Sequence, residues 1–221
     1  AETERGTRLV SLGFMRRFDP GYAAMKARLV SGALGTPMML RNVHRCVAAP
    51  GFFNPATTVI SGAVHDFDVA RWLLGAEISE VSAFEPTATA ATPGSPVLLV
   101  LRTEAGHLID IETFIDARYG YEVRCEAVCT GGTVALAHSA PVEVNAGLGR
   151  TSDHPAGYLG RFADAYRLEF LEWARQLVTG VASSVLATAW DGYAATAVAE
   201  AAITALGQTT PAPVSAMPPR S

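Results

Sequence analysis

Apolar residues recur along this chain with two different periods. In four stretches they return every three or four positions, the spacing of one face of a helix. Between residues 76 and 146 they return every second position, the spacing of one face of a strand. Asp19 followed by Pro20 predicts a helix start, a capping carboxylate and then proline at the first helical position. That helix runs through Tyr22, Met25, Leu29 and Val30 to about Ser31. A second helix covers Gly62 to Leu74, with Val64, Phe67, Ala70, Arg71 and Leu74 at helical spacing and Gly75 as its left-handed cap. Two more are expected over about 160–179, through Phe162, Tyr166, Phe170, Trp173 and Leu177, and over about 188–206, which is rich in alanine.

The strands read as Arg8–Phe14, Pro37–Val47 and then stretches near 78–85, 96–104, 107–116, 121–130, 132–137 and 141–146. Turns at 92–95, 104–106, 119–121 and 131–132 join the later ones. Short connections between successive strands imply antiparallel pairing. Residues 48–60 and 147–155 read as loops, and 87–92 as a mobile hairpin loop. The class is α+β: a mostly antiparallel open sheet with helices on one face. The other face carries Leu108, Asp110, Glu112 and Phe114 on one strand and Glu122, Arg124, Glu126 and Val128 on another. A mixed, partly apolar open face of this kind calls for a partner, so a homo-oligomer through the sheet, dimer or tetramer, is expected. Thr209 to Ser221, with four prolines, reads as a flexible tail.

Composition narrows the function classes. The 221 residues are 49% hydrophobic and 17% charged, enough for a sizeable core, and the net charge of −4 argues against nucleic acid or an anionic membrane as partner. No apolar run approaches the roughly 20 residues that span a bilayer, and the polar first eight residues lack the apolar centre of a signal peptide. Cys46, Cys125 and Cys129 form neither a disulfide framework nor a Cys-x-x-Cys pair, which fits a reducing cytoplasm.

The candidate chemistry sits on the second helix. His65, Asp68, Val69 and Trp72 share a face there, and Ser61, one turn earlier, joins it if the helix extends back. A titratable ring near a helix start with polar neighbours can exchange a proton with a substrate. The plainer reading is a histidine held by a local hydrogen bond. On the strand at 37–47, His44 and Cys46 point the same way.

Six segments in order resemble one family, the glucose–fructose oxidoreductase, inositol dehydrogenase and MocA group of two-domain oxidoreductases. They are 13–22 (Gly-Phe-Met-Arg-Arg-Phe-Asp-Pro-Gly-Tyr), 43–45 (Val-His-Arg), 64–74 (Val-His-Asp-Phe-Asp-Val-Ala-Arg-Trp-Leu-Leu), 119–122 (Tyr-Gly-Tyr-Glu), 161–166 (Arg-Phe-Ala-Asp-Ala-Tyr) and 189–193 (Ala-Trp-Asp-Gly-Tyr). Inositol 2-dehydrogenases are the members it resembles most. The resemblance implies a Rossmann nucleotide domain followed by a substrate domain, with a cyclitol or sugar hydroxyl oxidised by NAD or NADP. It implies His65 as the base, and Ser61, His44, Met15, Arg16, Tyr119 and Tyr121 as substrate-side residues.

Family members carry a glycine-rich turn and a Glu-Lys-Pro motif, and this chain has neither. Its single lysine, Lys26, stands in another context. The resemblance therefore makes residues 1–14 the last strand and remnant of the nucleotide domain and 15–208 the substrate-binding and oligomerisation domain, with no cofactor bound by these residues themselves. Two positions depart from the family pattern: Ser61 stands where an aspartate is usual, and Cys46 where asparagine is frequent. These departures favour the alternative of a non-catalytic ligand-binding or dimerisation module. A metal site of His44, His65 and Asp66 is the remaining, weaker option.

Overall fold

The computed structural model describes residues 10–86, 93–137 and 143–215. A two-residue strand, β1 (Ser11–Leu12), opens them, and a tight turn at Met15–Phe18 leads into helix α1 (Pro20–Val30). Asp19 caps α1, its carboxylate accepting from the Gly21 and Tyr22 amides at 3.1 and 3.2 Å. Strand β2 (Pro37–Arg45) follows. Then come helix α2 (Pro55–Thr58), a π-helical turn at Val59–Ala63 and helix α3 (Val64–Leu74).

Strands β3 (Ile78–Phe84), β4 (Val97–Thr103), β5 (Leu108–Phe114), β6 (Glu122–Cys129) and β7 (Gly132–Ala135) come next, and β8 (Glu143–Ala146) pairs with β9 (Gly149–Ser152) as a separate hairpin. Helices α4 (Tyr158–Arg161), α5 (Ala163–Thr179) and α6 (Ala189–Ala205), with β10 (Ala187–Thr188) ahead of α6 and β11 (Ala212–Pro213) after it, complete the order.

Seven strands form one sheet in the order β11-β3-β4-β5-β2-β6-β7. Every neighbouring pair is antiparallel except β2 with β5. The parallel pair arises because the helical crossover α2–α3 separates β2 from the later strands, and β5 returns beside it in the same direction. The corner at 119–121 is therefore no hairpin turn between neighbours. It carries the chain over the end of β2, where the Ala117 and Arg118 amides donate to the carbonyls of Cys46 and Val47.

Four further expectations are corrected. Residues 48–60 are not all loop: Asn54 and Thr57 form a capping box that starts α2. The second crossing segment, 147–155, contains β9. Of the segment expected as a strand over 8–14, the described part pairs only at Ser11–Leu12, antiparallel with β10. The tail is anchored at Ala212–Pro213, which adds an edge strand to β3; proline is tolerated at such an edge because its missing N–H faces outward. The loop at 87–92 lies outside the described residues.

The core lies on the helix-covered face. Leu40 on β2, Leu99 and Leu101 on β4, Ile109 and Ile111 on β5 and Val123 and Ala127 on β6 all bury their side chains there. They meet Phe67, Val69, Ala70 and Leu73 of α3 and the alanine-rich face of α6, where Ala194, Ala195, Val198 and Ala202 are fully enclosed. Small side chains on α6 let two helix backbones and the sheet approach closely, as their spacing predicts. Cys125 and Cys129 are buried as free thiols on β6.

Candidate active site

The helix that carries His65 is set in place by two glycines and a lysine. Gly62 lies in the π-helical turn, and a Cβ there would stand 3.0 Å from Thr113 Cγ2 and 3.1 Å from Ile115 Cδ1, so the turn can press against β5 only without a side chain. π-helical turns of this kind recur at functional sites because they shift the side chains that follow them around the axis. Gly75 ends α3 with φ of 65°, the left-handed cap expected from the sequence. Lys26 reaches from α1 to the carbonyls of Trp72 and Leu73 at 2.6 and 3.2 Å, placing a cation at the negative end of α3.

His65 sits in the first turn of α3, half-buried, with Ser61 exposed on the π-helical turn before it. Its ring meets Phe14 edge-on, with centroids 5.9 Å apart. Nδ1 is buried and has no hydrogen-bond partner among the described residues. Burial, followed by the nearby Arg16 and His44, pushes its pKa down to about 4, so the ring is neutral near pH 7. The reading of His65 as a histidine tied by a local hydrogen bond through Nδ1 is not what the structure shows.

Beneath it lies a buried polar cluster. Arg16 donates to Asp66 Oδ1 at 2.5 Å, and Asp66 Oδ2 faces His44 Nδ1 at 3.1 Å. The other nitrogen of His44 stands 3.2 Å from the Tyr121 hydroxyl and 3.8 Å from Cys46 Sγ. Burial alone would raise the Asp66 carboxyl, but Arg16 and His44 outweigh it and hold its pKa at about 2. Burial pushes the Cys46 thiol up to about 11, and that thiol stays protonated and unreactive at neutral pH.

A second ion cluster adjoins the first. Arg17 grips Asp68 with Nε and Nη2 at 2.9 and 2.5 Å and reaches Asp191 at 3.2 Å. Arg71 bonds Glu77 at 2.6 Å and lies over the Trp190 ring. Spacing alone would allow Asp68 and Arg71, three apart on the helix, to pair at the surface and Arg17 to stand in solvent, but all three are buried and Asp68 is held by Arg17. The pattern was present in the sequence as two adjacent arginines, 16 and 17, and two aspartates two positions apart, 66 and 68, each arginine taking one aspartate.

Of the residues singled out by sequence, His65, His44, Arg16 and Tyr121 converge, with Met15 buried beside Arg16 and Ser61 at the rim. Tyr119 does not join them. Its hydroxyl bonds Glu122 and Arg45, which line the opposite sheet face. Asp66 is the member whose place the sequence left open, and it is the carboxylate at the centre of the cluster. With Asp66 occupied by Arg16, His44, His65 and Asp66 do not form a metal site. Among the described residues no group of three or more histidine, cysteine or acidic side chains could hold a metal ion.

Residues 22–135 match the sequence model described as the GFO/IDH/MocA C-terminal domain. The chain belongs to this family. It is 45% identical over 216 residues to inositol 2-dehydrogenase 1 of Saccharopolyspora erythraea, covering 96% of this chain and 64% of that protein. It is 41% identical over 212 residues to inositol 2-dehydrogenase of Streptomyces avermitilis, covering 93% and 60%. The fold matches myo-inositol dehydrogenase from Lactobacillus casei, solved with NAD(H) and myo-inositol, with a TM-score of 0.92 at 24% identity, over 100% of this chain and 66% of that one. The chain spans less than two thirds of the length of these relatives. No helix among the described residues is long and apolar enough to cross a membrane.

Proposed function

We propose that these residues form the substrate half of an NAD-dependent dehydrogenase that oxidises one hydroxyl of a cyclitol or sugar, with inositol as the first candidate. NADP is the alternative cofactor. The observation that carries this reading is a neutral, half-buried His65 at the rim of the Arg16–Asp66–His44–Tyr121 cluster, in a chain of this family whose relatives are inositol 2-dehydrogenases. A nicotinamide would supply the hydride acceptor. No Gly-x-Gly-x-x-Gly cradle occurs in the 221 residues, and on that ground we infer that the dinucleotide is held outside them.

What this chain's own residues do follows from their states. His65 is the group able to take the hydroxyl proton, since a neutral imidazole has a free lone pair. Arg16, with Asp66 against it, is too enclosed to meet a polyol; it fixes the floor of the site. The Tyr121 hydroxyl holds His44 from the opposite side. The isolated 221 residues are expected to show no NAD-linked turnover with any polyol in a cofactor-reduction assay. Measurable turnover would mean that the dinucleotide is bound here after all. A non-catalytic module would fold equally well but stay silent even when joined to a nucleotide-binding half.

The partner expected for the open sheet face is a second copy of the chain. That face carries ion pairs Arg41–Asp110, Arg45–Glu112 and Arg102–Glu80 around Met39, Val43, Leu98, Val100 and Leu108. Ordered rows of opposite charge flanking apolar side chains favour a self-complementary contact. Sedimentation of the chain should show a dimer or larger, and Val100→Glu should shift it to monomer while leaving the circular dichroism unchanged. A monomeric parent chain would remove this assignment.

A further inference from the structure

Helix α5 is built inside out. Its outer side exposes Phe170, Leu171, Leu177 and Val178, while the described side chains it buries are those of Ala165 and Glu169. Carboxylates are almost never fully buried unless they are paired. Glu169 is 7% exposed, and its Oε1 is buried with no hydrogen-bond partner among the described residues. The main contact of α5 with the rest of the fold is the turn at Met15–Phe18, which carries Arg16 and Arg17.

The charges that act on Glu169 are Arg17 of that turn and Asp68 of α3. Arg17 has no donor left for it. Its Nε and Nη2 are taken by Asp68, Nη2 also reaches Asp191 of α6, and Nη1 points to the Val185 carbonyl at 3.4 Å. Arg71 is bonded to Glu77 and lies 3.9 Å from Asp68 and 3.6 Å from Asp191, and Arg16 is bonded to Asp66. On α5 itself, Tyr166 feels the Glu169 charge from one turn back, and Glu172 is held by Arg175. Arg17 and Arg71 thus already answer Asp68, Asp191 and Glu77. A further carboxylate charge finds no spare cation in this cluster, and the neutral acid is the form that fits.

We propose that Glu169 is a proton-sensitive link between α5 and the turn at the floor of the site: as a neutral acid it lets the helix pack on the turn, and as a carboxylate it loosens that packing. Burying a neutral oxygen without a partner costs far less than burying an unpaired charge. On ionisation the O–H bond breaks, its electron pair stays on Glu169 and the proton leaves to solvent. The new charge stands beside Asp68 and competes with it for Arg17. Arg16 shares the turn with Arg17, so the floor of the site feels the same proton, whatever reaction the site performs. Burial, then Asp68, push the Glu169 carboxyl up to about 7 against the pull of Arg17, whereas an unfolded glutamate titrates near about 4.3. The stability contributed by the neutral form is therefore complete below about pH 4 and is lost as pH rises toward 7.

The test needs no cofactor and no turnover. In the 221-residue chain with ¹³C-labelled glutamate carboxyls, one signal should titrate with a midpoint near 7. Glu169→Gln keeps the shape of the neutral acid and should remove that signal. In denaturant titrations the parent's unfolding constant, divided by that of Glu169→Gln, should rise on the order of 100-fold between pH 5 and 8. Hydrogen exchange, corrected for the intrinsic rate, should show the 163–179 amides losing protection over the same range relative to the variant. A ratio that stays flat overturns the proposal, as does α5 protection that does not change while the carboxyl titrates. If the glutamine variant fails to fold, the parent alone decides. A glutamate titrating near 7 together with loss of α5 protection supports the link, and no glutamate titrating above about pH 6 overturns it.

Discussion

His65→Ala, in the chain joined to a family nucleotide-binding half, is expected to lower kcat for polyol oxidation by roughly 10²- to 10⁴-fold, the usual worth of a positioned general base. The fold should survive, because the ring is half-buried and its described packing partner is the edge contact with Phe14. KM should change little, since proton removal is felt in the transition state more than in the ground state. Turnover within a few-fold of the parent would remove His65 from the chemistry. The pH dependence carries a sign as well. A base whose conjugate acid has a pKa near 4 stays neutral down to that pH, so kcat/KM should not fall between pH 7 and 5 on account of His65. A loss with a midpoint near 6.5 would mean that burial and Arg16 do not act on the ring as the structure indicates.

Asp66→Asn is the second large effect, on stability and not on the base itself. It leaves the Arg16 guanidinium, 1% exposed, without its carboxylate. Breaking a buried pair by removing one partner costs about 3–5 kcal/mol, which for a domain of this size lowers Tm by roughly 6–20 °C. The parent should also show the pair in its acid response. The folded pKa of Asp66, about 2, lies below that of an unfolded aspartate, so its contribution is complete above about pH 4 and disappears as pH falls toward 2. His65, with a folded pKa of about 4, adds a loss from about pH 6.5 downward, because the unfolded chain binds that proton first. The Asn variant should keep the His65 component and lose the one below pH 4. Equal stability of parent and Asp66→Asn at pH 7 would show that the pair is not the floor of the site.

Much of this was written in periodicity. The helix over Gly62–Leu74, its Gly75 cap, the Asp19–Pro20 start and the alternation through β3–β7 each follow from local rules that tertiary contacts reinforced. The parallel pairing of β2 with β5 was not legible, because strand order depends on where a crossover returns and successive strands look alike in either arrangement. Nor was β11 visible, since two proline-flanked residues carry no period at all. In the site, His65 and its neighbours on α3 were readable from helical spacing, and His44 from strand alternation. Which carboxylate supported which base was not. Asp66 and Asp68 stand two apart on a helix, on different faces, and only the fold shows that Arg16 takes one and Arg17 the other.

The missing hydrogen bond at His65 Nδ1 was equally invisible, because an absence of partners is a property of packing. The outer surface of α5 exposes Phe170, Leu171, Leu177 and Val178, apolar side chains that the 3.6-residue period alone would have assigned to a core.

The most direct measurement is the reduction of NAD by this chain fused behind the nucleotide-binding half of inositol 2-dehydrogenase 1 of Saccharopolyspora erythraea, with myo-inositol and a panel of other cyclitols and sugars. The account predicts polyol-dependent formation of NADH that disappears with His65→Ala. A folded fusion that binds NAD yet forms no NADH with any polyol, or one that forms it equally well without His65, would contradict it.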